Sequence, residues 1–91
     1  MADDVEWDSR KAAASLKKHG IDFADAASVL YDDQAMTVRE DEAGDERDVT
    51  IGMDALARLL VVVYTRRGSR PRLISARTAT PQERQEYEAK P

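Results

Sequence analysis

The chain of 91 residues has no cysteine and only one histidine. The first absence excludes disulfide bonds, cysteine-ligated zinc and thiol catalysis, and the second argues against a histidine-based metal site. Long apolar runs are also missing, because the longest, Leu59 to Tyr64, is far too short to cross a bilayer. The first seven residues are acidic and polar, which is unlike a signal peptide. We therefore predict a cytoplasmic protein that does not associate with a membrane and binds no metal or cofactor.

Several motifs of common enzymes are absent as well. The sequence contains no P-loop, no dinucleotide-binding glycine pattern and no Gly-x-Ser-x-Gly nucleophile elbow. The acidic segment at 40–48 lacks the ligand alternation of a calcium loop. An enzyme that acts on a small molecule with the help of a cofactor therefore has no signature in this sequence.

The net charge of −4 hides an uneven distribution. Residues 1–48 carry six Lys/Arg and fourteen Asp/Glu, whereas residues 49–91 carry eight Lys/Arg and four Asp/Glu. Because an anion responds to the local field of a patch and not to the total charge, an anion site is expected in the second half. Five arginines crowd into twelve residues of that half: Arg66, Arg67, Arg70, Arg72 and Arg77.

Three helices are predicted from their capping residues. Asp8 is a suitable N-cap for a helix over 9–19, and Gly20 suits the left-handed position at its end. Asp22 can cap a second helix, which carries an apolar stripe at i, i+3, i+4 and i+7. The capping box Thr-Pro-Gln-Glu at 80–83 begins a short polar helix that runs to about residue 88.

Alternation of apolar and polar residues predicts strands at both ends of an acidic, solvated and mobile loop at 40–46. These two strands lie around 36–38 and 49–51. A short strand is also predicted near the N-terminus, around 5–7, and two apolar strands follow at 59–64 and 73–77. Short turns between successive strands favour an antiparallel meander. We therefore predict one α+β domain over residues 1–91, with two N-terminal helices packed on the sheet and a short C-terminal helix.

The arginines point to phosphate chemistry, because a planar guanidinium suits a phosphate that gains charge in a transition state. RNA can be cut without a metal, since its own 2′-hydroxyl is the nucleophile. Arg77 is the first candidate, because it lies inside an otherwise apolar strand. Regular alternation would place it on one face with Leu73 and Ser75, and would place Arg72 on the other face.

Each further candidate also has a purely structural interpretation. His19 can transfer a proton near neutral pH, or it can simply stabilise the dipole of the last helical turn. Arg47 and Arg58 can stabilise a phosphate or pair with nearby acids, and Tyr87 can contact RNA or anchor the last helix. The catalytic candidates are Arg77, His19, Arg47 and Arg58. The RNA-binding candidates are Lys18, Arg66, Arg70, Arg72 and Tyr87.

Five short motifs, in order and at fitting spacing, resemble the BrnT family of ribonuclease toxins from bacterial toxin–antitoxin modules. Together they cover nearly the whole chain: Trp7-Asp8 with Lys11 and Lys18-His19-Gly20, Arg47 to Gly52, Arg58 to Val62, Arg72 to Arg77, and Glu83 to Glu88. Ser15 stands where the family has an asparagine in the first helix.

The resemblance implies a RelE-like fold and an endoribonuclease that arrests translation. It also implies neutralisation by a ribbon-helix-helix antitoxin of the BrnA type, in a complex that binds promoter DNA. Since such an antitoxin is a homodimer, a 2:2 heterotetramer is expected. The alternative is a catalytically weak RelE-like binding module, which acts mainly as the antitoxin's partner and co-repressor. The acidic first half of the chain favours this alternative.

Overall fold

The helices begin and end at the predicted capping residues. The computed structural model describes residues 4–42 and 44–89, with the side chains at 42, 45 and 67 outside that description. Helix α1 spans Ser9–His19, and the Asp8 carboxylate accepts hydrogen bonds from the backbone N–H groups of its first turn, the shorter at 2.7 Å. Gly20 ends α1 at φ 72°, a left-handed conformation that glycine adopts without strain.

The other two helices also begin at their predicted capping residues. Helix α2 spans Phe23–Ala27 and continues directly as a 3₁₀ helix over Ser28–Tyr31. Helix α3 spans Pro81–Ala89 and begins with the capping box, in which the Glu83 carboxylate accepts from the Thr80 N–H at 2.8 Å. No helix in the described ranges is both long enough and apolar enough to span a membrane.

The five strands form a single sheet in the order β1-β5-β4-β3-β2. Their bounds are Glu6–Trp7 for β1, Met36–Glu42 for β2, Asp45–Met53 for β3, Leu59–Arg67 for β4 and Arg70–Thr78 for β5. Strands β2 to β5 form an antiparallel meander, but β1 pairs with β5 in parallel. The α+β class is thus confirmed, whereas the fully antiparallel sheet is wrong at β1. The reason is that β1 reaches β5 through the helices and the rest of the sheet, so no hairpin turn sets its direction.

The acidic loop predicted at 40–46 is instead the outer part of a hairpin. Strands β2 and β3 stay paired as far as Glu42 and Asp45, with Ala43 outside the described residues. Cross-strand neighbours such as Glu40 opposite Arg47 offset the acidic charge locally. Both faces of this extension are polar, so the alternation that identifies a half-buried strand is missing from the sequence.

The core lies between the sheet and the helices. Phe23, Val29, Leu60 and Val62 are fully buried there, and the ring of Trp7 meets Phe23 edge-on with 6.2 Å between centroids. At one point the sheet and the 3₁₀ helix approach very closely. A Cβ at Gly52 would lie 3.0 Å from Val29 Cγ1 and 3.1 Å from Ala35 Cβ, so this strand position admits only glycine without a shift of its neighbours.

A β-bulge changes which residues of β5 share a face. Tyr64 pairs with Leu73 but its neighbour Val63 pairs with Ser75, so Ile74 is an extra residue in β5. Leu73 therefore faces the core, and the regular alternation predicted for this strand is wrong. Beyond the bulge Arg77 lies opposite Val61, and before it Arg72 lies opposite Thr65. Arg72 and Arg77 consequently lie on one face, opposite the face that carries the core residues Leu73 and Ala76.

Candidate active site

A cleft of about 310 Å³ lies between helix α1 and the edge of β5. Strand β1 pairs with β5 only at Arg72 and Leu73, so the following stretch of the β5 edge meets a helix and not a strand. The lining residues of this α1–β5 cleft are Lys11, Ala14, Ser15, Lys18, His19, Ile74 and Ser75. The α1 residues recur at i, i+3, i+4, i+7 and i+8, which is one face of a helix.

Ser15 fixes the distance between the two walls of the cleft. Its side chain is buried at 7% exposure and donates a hydrogen bond of 3.2 Å to the backbone carbonyl of Ala76. That carbonyl lies in β5, on the stretch that β1 leaves uncovered. A small hydroxyl therefore satisfies a strand-edge acceptor and lets α1 pack closely against β5.

The cleft is lined by positive charge from α1. Lys11, Lys18 and His19 are all exposed, and the latter two stand in the last turn of the helix. Cations there interact favourably with the C-terminal end of the helix dipole. His19 therefore stands where it can interact with the helix dipole, as its structural interpretation requires. Its exposed imidazole also lines the cleft. A phosphate entering the cleft would meet two ammonium groups and a proton-transfer group.

Arg77 lies two residues beyond Ser75, and the pairing of both with β4 places them on the same face of β5. Its two terminal nitrogens donate to the two carboxylate oxygens of Glu83 at 2.8 and 2.9 Å. This bidentate ion pair anchors the first turn of α3 over the sheet. These hydrogen bonds, which Arg77 donates and Glu83 accepts, lower the pKa of Glu83 to about 2 and raise the pKa of Arg77 further above its ordinary value.

The ion pair predicts acid-sensitive stability. A carboxyl whose pKa is depressed in the folded state stabilises the fold above its unfolded pKa of 4.5, and the contribution is lost as the pH falls towards 2. Because Arg77 is 42% exposed, solvent screening should reduce the effect to roughly 1–2 kcal/mol. We expect urea unfolding to show this loss between about pH 4.5 and 2. Glu83→Gln should remove it from that window, and an unchanged pH profile in the variant would contradict the assignment.

Arg58 holds a turn together. Its guanidinium contacts the buried carboxylate of Asp54 at 2.7 Å and that of Asp25 in α2 at 3.3 Å. The same Asp54 carboxylate accepts the backbone N–H groups of Leu56 and Arg58, and Ala57 in this turn has a φ of 64°. Arg58 does not line the α1–β5 cleft.

The remaining predicted residues are spread over the molecule. Arg47 lies on β3 opposite Glu40, and Arg66 donates through Nε to the buried Asp48 at 3.2 Å. Tyr87 donates to the Asp32 carboxylate at 2.6 Å, and this bond, together with burial, raises the pKa of Tyr87 to about 12. Arg70 and Arg72 flank Glu6 at 3.9 and 3.6 Å. None of these five predicted residues lines the α1–β5 cleft.

The structure therefore brings together Lys18 and His19, places Arg77 on β5 two residues beyond the cleft residue Ser75, and leaves Arg47 and Arg58 outside the cleft lining. Ser75 was not among the predicted site residues. Its only signal was the motif that it shares with Arg77, because the bulge that orients this stretch has no sequence signature. Within the described residues, no three His, Asp or Glu side chains are grouped so as to hold a metal ion.

Known proteins are similar to this chain in sequence and in structure. The family model of the ribonuclease toxin BrnT of type II toxin–antitoxin systems matches residues 7–83. Among solved structures, the chain is similar to the Brucella abortus ribonuclease toxin BrnT, with 29% sequence identity and a TM-score of 0.66. The match covers 84% of this chain and 95% of that one. Among curated proteins, none matched the chain.

Proposed function

Because the chain belongs to the BrnT family of ribonuclease toxins of type II toxin–antitoxin systems, we propose that it cuts RNA at the α1–β5 cleft. The observation that carries this proposal is a convergence of motif residues. Lys11, Lys18 and His19 come from the first family motif and Ser75 from the fourth, yet all four line one cleft. Residues 56 or more positions apart in sequence meet there, although nothing in the packing of the core requires them to be cationic.

The proposed reaction uses the RNA's own 2′-hydroxyl. The 2′-oxygen attacks the adjacent phosphorus, the bond from phosphorus to the 5′-oxygen breaks, and the products carry a 2′,3′-cyclic phosphate and a 5′-hydroxyl. One proton leaves the 2′-oxygen and one is supplied to the 5′-oxygen, and His19 serves one of these transfers. The ammonium groups of Lys11 and Lys18 offset the charge that develops on the phosphate. No step requires a metal.

Arg77 is the proposed second source of positive charge. It shares a face of β5 with Ser75, a residue of the cleft lining, and this shared face supports the assignment. Glu83 holds this guanidinium in place by both terminal nitrogens. Arg47 and Arg58, the other predicted catalytic arginines, have no place in this proposal because neither lines the cleft nor lies on β5 with a residue that does.

The proposal includes a partner. Type II systems pair a toxin with a protein antitoxin. We infer a BrnA-like, ribbon-helix-helix antitoxin that covers the RelE-like sheet near Arg77 in the cytoplasm, binds promoter DNA with the toxin, and joins two toxins in a 2:2 complex. Support comes from the face of the sheet that carries Arg77, where Val38 is 58% exposed and Val49, Ile51 and Val63 are only half-buried.

A second candidate function is a catalytically weak binding module that acts as co-repressor. The observation in its favour is that carboxylates contact several arginines of the basic half. Arg58 pairs with Asp54 and Asp25, and Arg77 pairs with Glu83. Since an arginine held by a carboxylate attracts a phosphate less, RNA would bind weakly.

The two candidates differ in one assay. Purified toxin incubated with total RNA in EDTA is expected to degrade it at the rate seen with magnesium, and a co-purified antitoxin should stop the reaction. Intact RNA under both conditions would favour the binding module. Cleavage that EDTA abolishes and magnesium restores would overturn the metal-independent reaction.

A further inference from the structure

A second and larger cavity, of about 420 Å³, lies on the helix-bearing side of the sheet. Its walls come from the segment before β1, from the 3₁₀ helix and the residues after it, from strands β2 to β4, and from the turn and first residues of β5. The lining includes Tyr31, Thr37, Thr50, Tyr64, Arg66 and Pro71. This sheet cavity shares no lining residue with the α1–β5 cleft.

The floor of the sheet cavity is a row of three hydroxyl groups. Thr37 Oγ1 lies 2.8 Å from Thr50 Oγ1, which lies 3.0 Å from the Tyr64 hydroxyl. Thr50 and Tyr64 are buried, at 1% and 4% exposure. Two hydrogen bonds use two of the three protons, so the row keeps one proton to donate and lone pairs to accept. A polar ligand can use both, whereas an apolar core would need neither.

A fixed arginine stands above this floor. The Nε of Arg66 donates to Asp48 at 3.2 Å, and the guanidinium lies 5.8 Å from the centre of the Tyr64 ring. Asp48 is 5% exposed and also accepts from Nε of Arg39 at 3.0 Å, so the two oxygens of one buried carboxylate each hold an arginine by its Nε. The Arg66 side chain is 55% exposed, and its terminal nitrogens take no part in the Nε hydrogen bond to Asp48. That fork is the group that binds a phosphate.

An aromatic wall completes the sheet cavity. Tyr31 is 48% exposed, and its hydroxyl is fixed by a hydrogen bond to Asp4. A fixed and half-exposed ring is a surface on which a base can stack. The carboxylates of Asp4 and Asp32, also in the lining, accept hydrogen bonds from exocyclic amino groups and repel phosphate. They therefore confine a phosphate to the Arg66 side.

From this combination we propose that the sheet cavity is a nucleotide subsite for the RNA substrate. The base stacks on Tyr31 and bonds to the hydroxyl row, and the phosphate binds Arg66. The inference rests on the proposed function, because it places a second nucleotide of the same RNA. Pro71 in the sheet cavity and Ser75 in the α1–β5 cleft are four residues apart on β5, or about 13 Å, which a short stretch of RNA spans.

The subsite is tested by titrating the ¹⁵N-labelled full chain with each of the four nucleoside 5′-monophosphates. At least one should shift the signals of Thr37, Thr50 and Tyr64 to saturation. Arg66→Gln should weaken its affinity about tenfold or more, and Tyr64→Phe about two- to tenfold, because they remove a charged and a neutral hydrogen bond. Arg84→Gln, which removes an exposed arginine of α3, is the matched control and should leave the affinity unchanged. Absent saturation, or shifts confined to the α1–β5 cleft, would overturn the subsite.

Cleavage kinetics separate this inference from the proposed function. In a chain that cuts RNA, Arg66→Gln should raise KM about tenfold and leave kcat unchanged, because a subsite away from the reacting bond binds ground state and transition state alike. Unchanged KM in that variant would overturn the subsite while the proposed function stands. Nucleotide binding at the sheet cavity by a chain that cuts no RNA would instead overturn the proposed function and keep the binding site.

Discussion

Replacing His19 with alanine is expected to lower the rate of RNA cleavage by about 10²- to 10⁴-fold, the range for the loss of a positioned proton-transfer group. His19 is the only histidine of the chain and lines the α1–β5 cleft beside Lys18. The measurement is single-turnover cleavage of a short RNA by purified toxin. Growth arrest in the producing cell should disappear in parallel.

Lys17→Ala is the matched control for His19. Lys17 stands in the same last turn of α1 and is exposed, but it does not line the cleft. Both substitutions remove a cation or potential cation from the helix end, so both change its stability by a similar, small amount. If His19→Ala cuts RNA as fast as Lys17→Ala, then His19 only stabilises the helix end and other groups carry out the proton transfers.

Replacing Arg77 with alanine is expected to lower the rate of cleavage by about 10²- to 10³-fold. This is the range seen in other enzymes that lose one hydrogen-bond donor to the charge of the transition state. Arg77→Lys keeps the charge but loses the planar fork, so an intermediate rate is expected. The pair with Glu83 also anchors α3, and circular dichroism and urea unfolding should therefore accompany the kinetics. A variant that is fully folded and still toxic would remove Arg77 from the site.

Arg84 supplies the control for Arg77. It is an exposed arginine of α3 that pairs with Glu88 at 3.5 Å. Arg84→Ala removes the same net charge from the same end of the molecule, so any nonspecific loss of RNA affinity appears equally in both variants. Only the difference between the two rates is assigned to the position of Arg77.

The sequence predicted local structure well where one residue decides it. Asp8 and Gly20 bound α1 because a carboxylate satisfies orphan N–H groups and glycine adopts positive φ without strain. The parallel pairing of β1 and the bulge at Ile74 could not be predicted, because each depends on contacts between distant segments. That one bulge moved Leu73 into the core and brought Arg72 and Arg77 to the same face.

The candidate site was predicted only in part for the same reason. Lys18 and His19 were identified from a motif, and helical spacing predicts that Lys11, Ser15 and Lys18 share a face. Two carboxylate partners were not identifiable, Asp25 for Arg58 and Asp48 for Arg66, because both belong to the acidic half of the sequence. Folding pairs the two halves, so the charge asymmetry of the chain does not survive as one large basic patch.

The most direct test of the account is the chemistry of the RNA ends. Short RNA cut by the purified toxin in EDTA should yield a 2′,3′-cyclic phosphate and a 5′-hydroxyl, and a single 2′-deoxyribose at the cut position should abolish cleavage there. Both outcomes follow from attack by the 2′-hydroxyl. Products with a 5′-phosphate and a 3′-hydroxyl, or continued cleavage at the deoxyribose, would contradict the proposed mechanism.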